Sequence, residues 1–333
     1  GDQMAIHIPL SKKAVIEARE LMLASRNLLK PSSGEPIVGP AKDMVLGCFY
    51  LTMEPEATTK AIPAFADMDE VLLAYNLGKV RLHAPIRLRY KSWIDEEPLD
   101  YLDLNDELKE ALEKASLLTV GQVRDLRTAG RLAAVAGLDE GDDQEILDLL
   151  AAVGYEPADR QATPYIETTA GRAIFNMHLP RQLQFVNEVM DKGKLQELVG
   201  ECNHRMGMDA TARLVDDIKS IGFRYATQSG TSIAVSDITV PAEKQQIIGL
   251  VQEEVDRVEQ QYRRGLITED EQYVRRVELW TKATDDITAA VARSMAPEGS
   301  IRMMAVSGAV KGGFTPIRQL AGMRGLMADP SGR

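Results

Sequence analysis

The sequence predicts a predominantly helical α+β fold, and three patterns along the chain support that class. Within residues 241–295, apolar side chains recur at alternating intervals of three and four residues, the pattern of helices that pack along one stripe. Residues 95–163 are acidic and rich in Leu and Ala, a composition that favours helix. Residues 79–90 alternate apolar and basic side chains, as a half-buried strand does. Helices should therefore dominate, with a small strand-containing region and a protruding antiparallel coiled-coil hairpin.

Length and charge narrow the class of protein. The chain has 333 residues, enough for about two domains. It carries 39 Lys and Arg against 50 Asp and Glu, a formal net charge of −11. This balance argues against a protein that coats nucleic acid through bulk positive charge, although a local basic site is compatible with it.

Cysteine usage and hydropathy indicate the compartment. Cys48 and Cys202 are too few for a disulfide framework, and neither has the closely spaced second cysteine of a structural zinc site. No apolar run is long enough to span a membrane, and no signal peptide is recognisable, so we expect a cytoplasmic protein without a membrane partner. Because the chain opens with Gly1-Asp2 and no initiator methionine, we also expect an excised part of something longer.

The first hundred residues predict one helix and two strands. Ser11 can cap a helix near 12–29. The apolar run 44–52 suits a buried strand. In the strand predicted over 79–90, Ile86 and its even-numbered neighbours form the apolar side, and the opposite side is basic. Both a solvated face and a phosphate-contacting face fit that basic side.

The acidic stretch 95–163 reads as an inserted helical subdomain. Asn105 can cap one of its helices, and Asp142 or Asp143 can cap another. A plain packing insert and a small helix-hairpin-helix-like module both fit this pattern. Residues 166–240 mix short helical and strand signals whose order the pattern leaves open.

The clearest structural signal is the helical hairpin over 241–295. Gly265 to Thr268 interrupts the two seams, and Thr268 with Glu271 has the spacing of a capping box that starts the second helix. Each arm of about 25 residues would extend ~37 Å. A docking surface and a simple spacer both fit such an arm. The predicted seam residues are Ile248, Val251, Val255, Val258 and Tyr262 in the first helix, and Tyr273, Val277, Trp280, Thr284, Ile287 and Val291 in the second.

After Pro297 the sequence becomes rich in glycine. Lys311 lies in the small-residue stretch 307–313, and Arg318 and Arg324 follow. Small residues let a backbone approach a ligand closely, and a basic side chain there could meet phosphate. The stretch lacks the Gly-Lys-Ser/Thr ending of a Walker A loop.

Six motifs stand in order along the chain: Gly1–Leu10, Gly34–Ile37, Thr168–Arg172, Gly222–Ala226, Gln260–Thr268 and Arg318–Met327. Together they resemble one family, the β′ subunit of bacterial DNA-directed RNA polymerase. The resemblance covers residues 1–60 and 165–333, whereas 95–160 has no recognised counterpart and is interpreted as a lineage-specific insert.

The resemblance implies five consecutive regions. They are the end of the catalytic loop with the pore region (1–94), the lineage-specific helical insert (95–163), pore and funnel (164–240), the antiparallel rim-helix hairpin of the secondary channel (241–295) and a glycine-rich loop near the active centre (296–333).

The resemblance also implies a magnesium-dependent nucleotidyl transfer in the intact enzyme. The family holds catalytic Mg²⁺ with three aspartates of one loop, and only the last Gly-Asp of that loop is present here, as Gly1-Asp2. Asp2 is therefore the expected catalytic residue and the sole ligand of an incomplete metal site. Because one carboxylate captures Mg²⁺ poorly, we expect the isolated chain to be inactive.

Two groups of residues are further implied as functional. Lys311 corresponds to a position near the NTP phosphates, with one extra residue beside it, while Arg318 and Arg324 either support the active centre electrostatically or make structural hydrogen bonds. The hairpin tip is expected to dock Gre-type cleavage factors, and the other expected partners are polymerase subunits, DNA template, RNA and NTP. An independent coiled-coil scaffold without a catalytic role is the alternative. The tip residues are Arg264, Gly265, Leu266, Ile267, Thr268 and Glu271.

Overall fold

The computed structural model confirms the predominantly helical α+β class. It divides the chain into two units, and we describe each by itself: unit 1 comprises 1–50 with 189–333, and unit 2 comprises 51–188. The predicted linear division into five regions stays a prediction. The described residues are 3–34, 36–55, 57, 61–90, 97–102, 104–128, 130–152, 165–296 and 299–330.

The elements follow one another in this order: α1 (Lys12–Glu17), α2 (Asp43–Leu51), β1 (Ala64–Phe65), α3 (Met68–Asn76), β2 (Pro85–Arg89), α4 (Asp106–Lys114), α5 (Val120–Thr128), α6 (Leu132–Ala136), α7 (Glu140–Ala152), β3 (Tyr165–Thr169), α8 (Ala170–Met177), α9 (Lys192–Ser229), α10 (Lys244–Arg263), α11 (Glu269–Ser294), α12 (Ser300–Val306) and α13 (Thr315–Ala321).

Unit 2 is built on a three-stranded sheet in the order β1-β2-β3. Strand β1 runs parallel to β2, and β2 runs antiparallel to β3. Ile86 and Leu88 are buried while Arg87 and Arg89 are exposed, which confirms the predicted alternation. The strand is shorter than predicted, because the chain before Pro85 forms turns.

The predicted helical subdomain is helical, and it connects β2 to β3. Arg89 and Tyr165 are cross-strand partners, so the chain leaves the sheet and returns to it at the same end. Helices α4 to α7 pack around a core of their own. That core consists of Leu99, Leu102, Leu108, Leu112, Leu117, Val120, Val123, Leu132, Ile146 and Leu150.

Of the two helix caps predicted for this subdomain, one is confirmed and the other is wrong. Asn105 caps α4 as predicted, accepting the Leu108 N–H at 2.8 Å. The prediction that Asp142 or Asp143 begins the second helix is wrong, because α7 starts at Glu140. Asp139 and Asp142 exchange backbone-to-carboxylate hydrogen bonds of 2.9 and 3.1 Å, which moves the helix start upstream of Asp142.

The predicted N-terminal helix of unit 1 is present but irregular. Ser11 caps α1, and its hydroxyl accepts the Ala14 N–H at 3.1 Å. A π-helical turn over 18–22 and a 3-10 turn over 24–26 continue the helix. The preceding segment exposes almost the whole of four apolar side chains: Met4, Ile6, Ile8 and Leu10.

The prediction of a strand over 44–52 is wrong, because this run forms helix α2. A short apolar run fits a buried helix as well as a buried strand. This helix packs very closely against α9 at Gly47, where a Cβ would lie 1.8 Å from the Gly222 carbonyl oxygen. Glycine at both positions lets the two helices cross in backbone contact. Burial raises the pKa of the neighbouring Cys48 thiol to about 12.

Helix α9 settles most of the order left open over 166–240. Gly207 interrupts it with φ of +77°, a conformation that favours glycine, and the Thr211 hydroxyl donates to the Gly207 carbonyl at 2.8 Å. The second half buries Leu214, Ile218 and Tyr225. It also carries Gly222, against which α2 packs.

Replacing Gly47 with Ala should destabilise unit 1 by about 1–3 kcal/mol, because the new methyl must force the helix crossing apart. Urea unfolding followed by circular dichroism and by labelling of the Cys48 thiol measures the loss. Gly249→Ala is the matched control, because Gly249 is an exposed helical glycine with open space around it. Alanine there should raise the free energy of unfolding by about 0.5–1 kcal/mol. Equal effects of the two substitutions would contradict the crossing.

Candidate functional site

The candidate site is the helical hairpin, whose two arms form as predicted. Helix α10 buries Val255 and Val258 against α11, which buries Ala283, Ile287 and Val291. Two side-chain bonds show the antiparallel pairing. Gln272 meets Glu259 at the tip end, and Arg293 meets Glu243 at the base.

The seam departs from prediction near the tip. Tyr262 and Tyr273, expected in the seam, keep 39% and 43% of their surface exposed, whereas Gln272 is buried with 8% exposed. The Gln272 amide donates to Glu259 Oε2 at 2.8 Å, which satisfies the buried donor. A single buried polar pair of this kind favours one helix register over its slipped alternatives. The spacing of apolar residues did not predict this pair, because it assigned the neighbouring Tyr273 to the seam.

The turn between the helices is closed by the predicted capping box. The Thr268 hydroxyl accepts the Glu271 N–H at 3.2 Å, and Glu271 Oε2 accepts the Thr268 N–H at 2.8 Å. Gly265 supplies the left-handed residue of the turn, with φ of +71°. The Thr268 backbone N–H, with help from its hydroxyl, lowers the pKa of the Glu271 carboxyl below its usual 4.5.

This turn presents an apolar residue among charges. Leu266 is 70% exposed, and Arg264 beside it is exposed as well. Ile267 is half-buried against the turn. The structure therefore brings all six predicted tip residues into one turn and its flanks.

An open groove of about 480 Å³ runs along the shaft between the two arms. Its floor is apolar and its walls carry both signs of charge. The lining residues are Glu254, Arg257, Val258, Arg275, Glu278, Leu279 and Lys282.

The base of the hairpin is anchored in a core shared with α12 and α13. Ile287 and Val291 of α11 pack with Ile301 and Ile317. A Cβ on Gly322 would lie 2.6 Å from Ile287 Cγ2, so the chain after α13 runs tightly against α11. This core fixes the position of the segment that carries the predicted basic residues.

The three predicted basic residues lie on α13 and on the turns at its two ends. Lys311 is exposed on the turn before α13, where Gly312 and Gly313 have positive φ. Arg318 lies on α13, and its Nη2 is 3.5 Å from the Arg324 carbonyl oxygen. That contact is of the structural kind, whereas Lys311 and the Arg324 side chain reach solvent.

Asp2 lies outside the described residues. Among the residues that are described, no three His, Cys, Asp or Glu side chains gather in a way that could hold a metal ion. Within the same residues, no helix has the length and apolar character needed to cross a membrane.

Comparison with known families identifies the family to which the chain belongs. A profile described as RNA polymerase Rpb1, domain 3, matches residues 27–238, and one described as RNA polymerase Rpb1, domain 4, matches 252–333. The chain belongs to the RNA polymerase Rpb1 family. The predicted resemblance is thereby confirmed, and this membership tells against the alternative of an unrelated scaffold.

Individual members of the family match along the whole chain. "DNA-directed RNA polymerase subunit beta′" of Heliobacterium modesticaldum is 39% identical over 333 residues, covering 100% of this chain and 24% of that protein. The proteins of the same name from Pelotomaculum thermopropionicum and Chloroflexus aggregans are 38% and 36% identical over 100% of this chain, which corresponds to 22% and 21% of their lengths. The chain thus spans less than a quarter of these relatives. The lineage-specific origin of 95–163 stays a prediction.

The capping box makes the tip sensitive to pH. Because the pKa of Glu271 is lowered in the folded state, its carboxylate stabilises the turn above about pH 4.5, and this contribution disappears as the pH falls through the lowered value. The Thr268 amide proton, followed by NMR while the pH is lowered from neutral, should report that loss. Glu271→Gln should remove the pH response, and an unchanged titration in this variant would contradict the assignment.

Proposed function

We propose that this chain is part of a β′-type subunit of DNA-directed RNA polymerase and lines the secondary channel, with its hairpin as the docking site of Gre-type cleavage factors. The observation that carries the proposal is the hairpin itself, anchored at its base and capped at an exposed tip. The names of the matched relatives support the enzyme to which it would belong.

The chemistry of the tip supports docking. An exposed leucine surrounded by charged groups provides an apolar anchor with a polar rim, the arrangement common at protein interfaces. Leu266 would be the anchor, and Arg264 would supply charge beside it. Backbone hydrogen bonds of the turn hold the main chain of both residues before the partner arrives, which lowers the entropy cost of binding.

The segment around α13 would support the active centre. Lys311 on its glycine-containing turn has the exposure needed to meet NTP phosphates, and Arg324 could add positive charge nearby. Arg318 would hold the turn through the Arg324 carbonyl. In the intact enzyme, other subunits, DNA template and RNA would complete the site, and Asp2 would be one ligand of Mg²⁺, which supplies charge neutralisation in nucleotidyl transfer.

Replacing the apolar anchor Leu266 and reversing the charge of the neighbouring Arg264 should weaken the binding of the factor. In a reconstituted polymerase, Arg264→Glu with Leu266→Asp should lower the affinity for a Gre-type factor at least about tenfold, measured by fluorescence anisotropy of the labelled factor. Glu271 is kept so that the turn remains capped. Asp286→Lys, an exposed change far along α11 from the tip, is the matched control and should leave the affinity unchanged. Equal affinities of the tip variant and the wild type would refute docking at this turn.

The chain by itself should not synthesise RNA, because it carries a single proposed Mg²⁺ ligand. Primer extension with template, NTP and Mg²⁺ tests this expectation, with intact polymerase as the positive control. Measurable synthesis by the chain alone would overturn the assignment of an incomplete metal site.

A further inference from the structure

Arg172 is a buried arginine that the proposed docking and synthesis do not use. It lies in the first turn of α8, only 6% exposed, at the end of the Thr168–Arg172 motif. A buried guanidinium is costly unless its donors are satisfied, so its partners reveal its role.

The Arg172 guanidinium bridges two segments that are distant in sequence. Its Nε donates to the Thr52 carbonyl at 3.1 Å, and Nη1 donates to the Asn187 carbonyl, also at 3.1 Å. Its Nη2 lies 3.4 Å from a carboxylate oxygen of Glu54. Thr52 and Asn187 each lie one residue inside the limits of unit 2, which runs from 51 to 188. One planar side chain therefore joins the first and last segments of this unit.

The last segment has further anchors. The Thr168 hydroxyl donates to Asn187 Oδ1 at 2.7 Å, and the Asn187 amide donates to the Glu167 carbonyl at 2.9 Å. The Asn176 side chain of α8 both donates to and accepts from Val186, each at 2.8 Å. Residues 186–187 are thus tied to β3 and α8 independently of Arg172.

The first segment passes α8 in backbone contact. A Cβ on Gly171 would lie 2.0 Å from the Leu51 carbonyl oxygen, so only glycine permits the approach. The next residue along α8 is Arg172, whose Nε donates a hydrogen bond to the Thr52 carbonyl, while Nη2 forms only an ion pair of 3.4 Å with the exposed Glu54 carboxylate. In this motif, Gly171 therefore lets the backbone at Leu51 approach α8, and Arg172 hydrogen-bonds the residue that follows, Thr52.

We propose that Arg172 is the clasp of unit 2: a positioning residue that ties the segment 51–54 to the segment 186–187, so that local opening of the unit is controlled at this point. The planar fork is essential to the clasp, because its nitrogens donate in divergent directions to both segments. A lysine ammonium at the same place can keep the charge but cannot span the two carbonyls and the carboxylate together.

Hydrogen exchange measured by mass spectrometry on the full chain tests the clasp. Arg172→Lys should raise the exchange rate of peptides covering 51–55 at least tenfold, with a smaller rise over 184–188, and should leave hairpin peptides unchanged. Arg87→Lys is the matched control, because Arg87 is an exposed arginine of the same unit. Equal exchange in the two variants, or loss of structure throughout the chain in Arg172→Lys, would overturn the proposal.

Asn187→Ala provides a second, milder variant. It keeps the Asn187 carbonyl that accepts from Arg172 Nη1 at 3.1 Å, and it removes the side-chain bonds to Thr168 and Glu167 together with the longer contact of 3.4 Å between Nη1 and Asn187 Oδ1. It should therefore loosen 184–188 more than 51–55, the reverse of the Arg172→Lys pattern. The same pattern in both variants would show that the segments open together without a clasp at Arg172.

Discussion

Unit 1 depends on the crossing of α2 and α9, where two backbones touch. No side chain larger than hydrogen fits between Gly47 and the Gly222 carbonyl, so the sequence must supply glycine on both helices. The contact brings Cys48 and the apolar side of α2 against the buried side of α9. It offsets the weak helix propensity of glycine with close packing along the crossing.

The hairpin shows how a protruding element is held in one register. Its base shares a core with α12 and α13, which anchors that end of the hairpin. Toward the tip, the seam contains only a few apolar residues. The hydrogen bond between Gln272 and Glu259 there favours one helix register, which apolar contacts alone specify only weakly. The capped turn then presents Leu266 on a defined surface. The proposed docking at this tip would not require the turn to become ordered first.

The helical subdomain between β2 and β3 illustrates how a long connection can join two neighbouring strands. Its two ends, Arg89 and Tyr165, are neighbours across an antiparallel pair. A connection there can lengthen without moving the sheet, since the entropy cost of loop closure grows slowly with length. The subdomain also buries its apolar residues in a core of its own, which is separate from the core beside the sheet.

The sequence alone determined those features that depend on neighbours within one turn or one strand. The caps at Ser11, Asn105 and Thr268, the alternation at Ile86 and Leu88, and the two arms of the hairpin all follow from local hydrogen bonding and apolar period. These interactions join residues that are close along the chain, which is why a pattern reveals them. The resemblance of its motifs to a known family then led us to expect functional residues at the hairpin tip and in the segment around α13.

Tertiary structure decided the rest, because the deciding partners are far apart in sequence. The run 44–52 forms helix α2, whose Gly47 lies against Gly222 of α9, and Gln272 rather than Tyr273 is buried in the hairpin seam, where its amide donates to Glu259. The role of Arg172 depends on two segments from opposite limits of unit 2. No local period records such contacts, since each arises only when the chain has folded back on itself.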